Sequence, residues 1–306
     1  MHIVAFVPKQ SAEVAPRVGA LLPDQVHVVD FAAAIAAPPP VSPLAWYDLD
    51  GGYLPQAMAW MHAHAAQVLE GGAGLPAGSR VPLTDVQLLA PVPRPSKIVC
   101  IGLNYRDHAA ESRMEVPKSP ITFSKYPTAI THPTAPVLLP RTSTQVDYEA
   151  ELAVVVGRVA KHVPKERAFD YVLGYANFND VSARDFQFAD KQWQRAKSCD
   201  TFGPLGPAIV TKDEIANPHE LRIELRLNGQ VMQSSSTNQL VFGVDDLIAF
   251  LSETVTLEPG DIIATGTPPG VGFARTPPVF LKPGDLMEVE IEGLGVHSNP
   301  VLADPV

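Results

Sequence analysis

The sequence predicts a β-rich α+β fold in two parts, a small N-terminal α/β lobe over residues 1–90 and a larger domain over 91–306. Short apolar runs of strand length, bounded by turn residues, outnumber runs with helical spacing. The stretch Leu88–Ser96 reads L-L-A-P-V-P-R-P-S, whose alternating prolines hold the backbone extended, as a connector between two parts would be. With 46% hydrophobic and 18% charged residues, the chain has enough apolar material for a substantial core, so disorder is set aside.

Taken in order, His2–Val7, Arg17–Leu22 and Gln25–Asp30 read as strands, the last two joined around Pro23 and Asp24. Ala36–Pro43 is a Pro/Ala loop. Leu54–Leu69 places Met58, Met61, Ala65 and Val68 at helical spacing and stops at Gly71-Gly72. His62 and His64 are two apart, cannot share a helical face as ligands, and read as surface residues. Lys97–Gly102 has the pattern of a buried strand. Asn104 after it is expected to cap a short helix that sets His108 and Glu111 on one face. That pair is either a general base oriented by its carboxylate or an ordinary surface pair. Ile121–Ser124, Tyr175–Asn179, Pro207–Thr211, Leu221–Leu227 and Val231–Gln233 follow as strands, with Asn228-Gly229 as a hairpin turn. Asp245 and Asp246 lead a short helix over Leu247–Leu251. The motif L-x-P-G-D occurs twice, each time as a turn into a strand.

Composition narrows the partners. A net charge of −10 without any Lys/Arg run excludes a general nucleic-acid surface. It leaves room for an anionic substrate, because a bound cation and a few placed basic groups reverse the local field. Two cysteines, Cys100 and Cys199, make neither a disulfide framework nor a thiolate metal cluster. No run approaches the ~20 apolar residues of a membrane span, and the chain opens directly in a strand-like pattern. No membrane partner and a cytoplasmic location are therefore expected.

The densest chemistry lies between Asp147 and Asp200. Glu149 and Glu151 are two apart at the mouth of the β-branched run Val154–Val156, so in a strand they share one face. Such a pair is either a solvated strand end or a pair of ligands to a hard cation. Asp180, after the strand-like Tyr175–Asn179, supplies a third carboxylate. Three oxygen ligands without a Cys/His cluster point to Mg²⁺ or Mn²⁺ rather than zinc. Arg184 and Lys197 are expensive to hold near a core unless they meet an anion, and Gln187 adds a neutral amide. Thr265, Gly266 and Thr267, in T-G-T-P-P-G-V-G, offer backbone N–H and hydroxyl donors as a cradle for a carboxylate. Asp147 reads as an acceptor behind the ligands, Asp185 and Cys199 as structural, and Phe186, Phe188 and Trp193 as packing around the site.

The order G-L-N-Y-R-D-H-A-A-E, D-Y-E-A-E-L-A-V-V-V-G, N-D-V-S-A-R-D-F-Q, A-K-S-C-D-T-F-G-P-L-G-P and P-G-D-I-I-A-T-G-T-P-P-G-V-G resembles the fumarylacetoacetate hydrolase family from about Lys97 onward. The resemblance implies a mixed β-sandwich roll, usually dimeric, with the acids matching Glu149, Glu151 and Asp180 binding Mg²⁺, Mn²⁺ or, in some members, Ca²⁺. It implies substrate contacts from Arg184, Lys197, Gln187 and Thr237, and a lid carrying His108 and Glu111 that activates water in the acylpyruvate-cleaving members. The expected substrate is a small anionic 2-oxo acid. Since the His108–Glu111 pair favours water activation, C–C bond hydrolysis of an acylpyruvate ranks first, with Lys197 stabilising the enolate that leaves. Decarboxylation or tautomerisation of an oxaloacetate-type acid, or isomerisation of a 2-hydroxydienoate, is the alternative on the same platform. A non-catalytic ligand-binding member ranks last, because all the motif acids and bases are present.

Overall fold

The run A-E-L-A-V-V-V forms strand Ala150–Val156, buried at every position. Burial on both faces explains its continuous apolar and β-branched character. Alternate residues serve two cores: Leu152, Val154 and Val156 face one, while Ala153 and Val155 face the other. The computed structural model describes residues 1–9, 15–40, 42–111 and 114–305. Val41, in the stretch expected to be a Pro/Ala loop, and Ser112 and Arg113, in the stretch expected to be a lid, lie outside them.

The central strand belongs to a 12-stranded sheet. Along it lie Arg80–Pro82, His27–Asp30, Arg17–Leu21, His2–Pro8, Gly203–Thr211, Val172–Asn179, Ala150–Val156, Ile262–Ala264, Ile98–Gly102 and Ile121–Lys125. Val86–Leu89 pairs with His2–Pro8, and Ile130–Thr131 with Gly203–Thr211. The N-terminal strands join the rest through the register His2↔Val210 and Ile3↔Ile209. A second sheet of five strands runs Gln230–Ser236, Arg222–Leu227, Leu286–Ile291, Gly295–Ala303 and Val137–Leu139. Between the sheets, and under the Val244–Thr254 helix, lies a core that includes Val154, Tyr175, Ile223, Leu247 and Val289. The β-rich α+β expectation holds. No helix among the described residues is long and apolar enough to cross a membrane.

Two local expectations are corrected. The helix over Leu54–Leu69 is two helices, Leu54–Ala63 and Ala65–Leu69. They part at His64, whose ring stacks on Trp60 at 4.1 Å and whose Nδ1 donates to the Trp60 carbonyl at 2.9 Å. Asn104 does not cap the Arg106–Glu111 helix with its side chain. Its amide instead donates to the carbonyls of Thr265 at 2.8 Å and Phe242 at 3.0 Å, and its Oδ1 accepts from Phe242 N–H. The first-turn acceptor is Asp107, which takes the His108 N–H at 3.0 Å.

Ile263 is fully buried in the central sheet, in the strand that bridges Ala150–Val156 and Ile98–Gly102. Ile263→Ala is expected to lower stability by about 2–5 kcal/mol, the cost of a core cavity at a site that cannot collapse. Urea unfolding reads this, and a loss near zero would show that the strand is not part of the cooperative core.

Candidate active site

Two antiparallel strands bring the acids together. Ala150 is paired with Asn179, so the residues just outside the ladder, Glu149 and Asp180, meet, and the Asp180 N–H donates to the Glu149 carbonyl at 2.8 Å. Glu151 projects from the same face as Glu149. Ligand oxygens of Glu149, Glu151 and Asp180 lie within 4.8 Å of one another, all three residues buried. Amide side chains fix the backbone that carries them. Asn179 Oδ1 accepts from Glu149 N–H at 2.9 Å, and Gln233 Oε1 from Ala150 N–H at 2.8 Å.

Three buried cations face this group. Lys197 Nζ sits 2.6 Å from Glu149 and 2.8 Å from Asp180. Lys125 Nζ lies 2.6 Å from the other oxygen of Asp180. Arg184 is 2.6 Å from Glu149 and 2.9 Å from Asp147, and it donates to Gln187 Oε1 at 2.9 Å. Asp147 also accepts from the backbone N–H groups of Tyr148, Gly272 and Phe273. It is an acceptor beside the carboxylate triad, the place the sequence suggested for it. Asp185 is taken up by Ser143 and Thr144, in a structural turn.

Lys125 and Gln233 escaped the sequence reading. Lys125 ends strand Ile121–Lys125, in phase with Ile121 and Phe123. That alternation, which puts a lysine on the face of two large apolar residues, was the available signal. Gln233 stands in a polar strand end with nothing to distinguish it.

With Asp147, Glu149, Glu151 and Asp180 set against Lys125, Arg184 and Lys197, the buried cluster has one carboxylate more than it has cations. The unmatched one is Glu151. Burial, then the neighbouring Asp180 and Glu149, push its carboxyl well above the ordinary carboxylate range. Glu149 goes the other way: burial would raise it, but Lys197 and Arg184 hold it well below that range. Burial works against the Lys197 charge, and Asp180 and Glu149 more than restore it. Three hard oxygens around a point of excess negative charge fit a divalent cation.

The other sequence-predicted residues divide. His108 Nδ1 is 3.2 Å from Glu111, whose carboxylate also accepts the Gly270 N–H, so the pair forms and is anchored across the site. A cavity of about 310 Å³ is lined by Glu149, Glu151, Arg184, Gln187, Lys197, His108 and Thr267, among others. The expected carboxylate cradle is largely turned inward. Gly266 N–H donates to Glu151 at 2.9 Å and the Thr265 hydroxyl to the Leu152 carbonyl at 3.0 Å. Gly266 needs its positive φ of 103°, and a Cβ there would stand 2.8 Å from that of Asn104. Thr237 is buried away from the cavity lining, its hydroxyl accepting from Leu221 N–H at 2.9 Å.

Residues 97–302 match the family described as Fumarylacetoacetate (FAA) hydrolase C-terminal. The chain belongs to the fumarylacetoacetate hydrolase family. Among curated relatives, oxaloacetate tautomerase Fahd2a, mitochondrial, of Rattus norvegicus is 54% identical over 223 residues, covering 72% of this chain and 71% of its own. The structure of 5-carboxymethyl-2-hydroxymuconate delta-isomerase from Mycobacterium smegmatis is 34% identical, with a TM-score of 0.76 over 99% of this chain and 100% of that one. Maleylpyruvate hydrolase from Sphingobium sp. SYK-6, in complex with manganese(II) ion and pyruvate, is 30% identical, with a TM-score of 0.77 over 99% of both chains. These similarities establish an enzyme family with isomerase and hydrolase members. They favour the tautomerase–isomerase alternative over the acylpyruvate hydrolase that the sequence ranked first. The cytoplasmic location is also corrected, since the rat relative is a mitochondrial protein.

The excess carboxylate has a readable consequence without divalent cations. The folded chain holds the Glu151 proton to higher pH than the unfolded chain does, because burial and the neighbouring acids raise its pKa. Stability from this group is therefore present at low pH and falls as pH rises through the raised pKa. Thermal unfolding in chelator from about pH 5 to 8 should show that fall in wild type and a flatter profile in Glu151→Gln. Identical slopes would show that Glu151 is not the unmatched acid.

Proposed function

We propose that this chain is an oxaloacetate-type tautomerase, interconverting the enol and keto forms of a small 2-oxo acid with Mg²⁺ or Mn²⁺ bound. The observation that carries the proposal is the 54% identity to the rat oxaloacetate tautomerase across most of this chain. The site supports it, because tautomerisation requires only that one proton leave an oxygen and one arrive at the adjacent carbon.

Glu149, Glu151 and Asp180 would hold the cation. When bound, it supplies Lewis-acid stabilisation of negative charge developing on the substrate oxygens. Arg184 and Lys197 present fixed positive charge to a carboxylate and to the enolic oxygen, at no reorganisation cost because their acids already hold them. Glu111 accepts from His108 Nδ1, which fixes the ring and leaves Nε2 to move the proton. Gln187, held by Arg184, lines the same cavity and orients the bound acid.

Hydrolysis of an acylpyruvate is the second reading, favoured by the same His108–Glu111 pair and by the likeness to maleylpyruvate hydrolase. In that reading His108 takes its proton from water. The two separate in one comparison: loss of the enol absorbance of oxaloacetate, and release of pyruvate from acetylpyruvate. The proposal expects rapid enol loss with Mg²⁺ and little pyruvate release. His108→Ala should slow enol loss by about 10²–10⁴-fold, and Asp180→Ala should abolish it. Enol loss at the buffer rate would refute the proposal, and rapid pyruvate release would put the hydrolase in its place.

A further inference from the structure

Two aromatic walls lead outward from Lys197 and Arg184, two of the site's three buried cations. Lys197 Nζ lies 5.3 Å from the centre of the Phe123 ring, and Phe123 meets Trp193 edge to face at 5.3 Å. Arg184 lies 4.4 Å from the Phe273 ring centre, and Phe273 meets Phe188 edge to face at 5.9 Å. All four rings line the cavity, together with Ile121 and Met114. Trp193 is seated against Gly102, where a Cβ would come within 2.5 Å of the indole, so a side chain there would displace the ring. Phe188 is 62% exposed and Ile121 40%, apolar surface left in water at the mouth of a charged site.

These walls exceed what a four-carbon diacid uses. Among the described residues, the only Lys or Arg side chains lining the cavity are Arg184 and Lys197, and carboxylates already contact both. Among the described residues, a second carboxylate at the outer end finds rings rather than a further Lys or Arg. The cavity, about 310 Å³, is of ordinary small-molecule size. Flat apolar groups are what a slot between edge-to-face aromatic pairs holds best.

We infer that the outer end of the cavity receives a flat apolar substituent on C3 of the substrate, so that arylpyruvates are substrates for the same proton transfer. The inference rests on the tautomerase reading and names a substrate class for it. The step is an isomerisation and needs no co-reactant. The enol O–H bond breaks and its proton passes to His108, which delivers a proton to C3, so that a C–H bond forms there as the carbonyl is restored and the imidazole ends neutral. The carboxylate and 2-oxo group remain at the Arg184–Lys197 end, while the aryl ring lies between Phe188 and Trp193.

The test follows the enol absorbance of phenylpyruvate and of oxaloacetate, with Mg²⁺, in wild type and Phe188→Ala. Wild type is expected to accelerate enol loss for both, and Phe188→Ala to lower the ratio of kcat/KM for phenylpyruvate over oxaloacetate by roughly tenfold. Should the variant fold poorly, wild type alone decides: phenylpyruvate should inhibit oxaloacetate turnover competitively and at least about tenfold more tightly than pyruvate. Turnover of oxaloacetate without turnover or tight binding of phenylpyruvate overturns the aryl slot and leaves the tautomerase reading standing. Failure on both substrates overturns the tautomerase reading itself. An unchanged ratio in Phe188→Ala, or a change in association state that moves both substrates together, overturns the role given to Phe188.

Discussion

Seven charged side chains are buried together here, and the four acids among them outnumber the three bases. Removing an ion from water costs several kcal/mol even after relaxation, so such a cluster persists only where each member is held by partners. The fold supplies them. The register of two central strands sets Glu149 beside Asp180, strand Ile121–Lys125 delivers Lys125, and Arg184 and Lys197 arrive from the two short helices Arg184–Asp190 and Gln194–Lys197. The uncompensated carboxylate is the one that points a divalent cation to this place. A cation would turn an excess of one negative charge into one positive charge, the sign a 2-oxo acid requires.

A single peptide group ties the carboxylate triad to the helix that carries His108. The carbonyl of Thr265 accepts from Asn104, and the N–H of Gly266, on the same peptide plane, donates to Glu151. Asn104 stands two residues before the helix that carries His108 and Glu111. That helix is pinned further by Asp107 to Ser235, Arg106 to the Leu240 carbonyl, and Glu111 to Gly270. His108 and the carboxylate triad therefore share one frame, and a shift in the loop at Gly266 moves both.

Much of the site was legible in the chain because its chemistry is local. Glu149 and Glu151 share a face by strand alternation, and His108 and Glu111 by helical spacing, and both patterns survive folding. Asp180 could be placed only through the register of two strands about thirty residues apart, which no periodicity reports. Lys125 lies one residue past the expected strand Ile121–Ser124, and only the fold sets Asp180 2.6 Å from it. The T-G-T loop shows the opposite limit. The sequence offered its donors to a ligand carboxylate, whereas in the fold Glu151 and the Leu152 carbonyl take two of them. Asn104 failed for a related reason: an asparagine ahead of a helix is usually a cap, and tertiary partners outbid that local role here. Which reaction the platform serves lies outside such patterns, since tautomerase and hydrolase need the same acids, the same cations and the same base.

The account stands on Glu149, Glu151 and Asp180 forming one cation seat around an unmatched charge. Titration of the purified chain with Mn²⁺, with free ion followed by electron paramagnetic resonance, tests this most directly in wild type and Glu151→Gln. One ion per chain in wild type, and binding weakened by more than about 100-fold in the variant, is the predicted result. Equal affinity in both, or no binding by wild type, would contradict it.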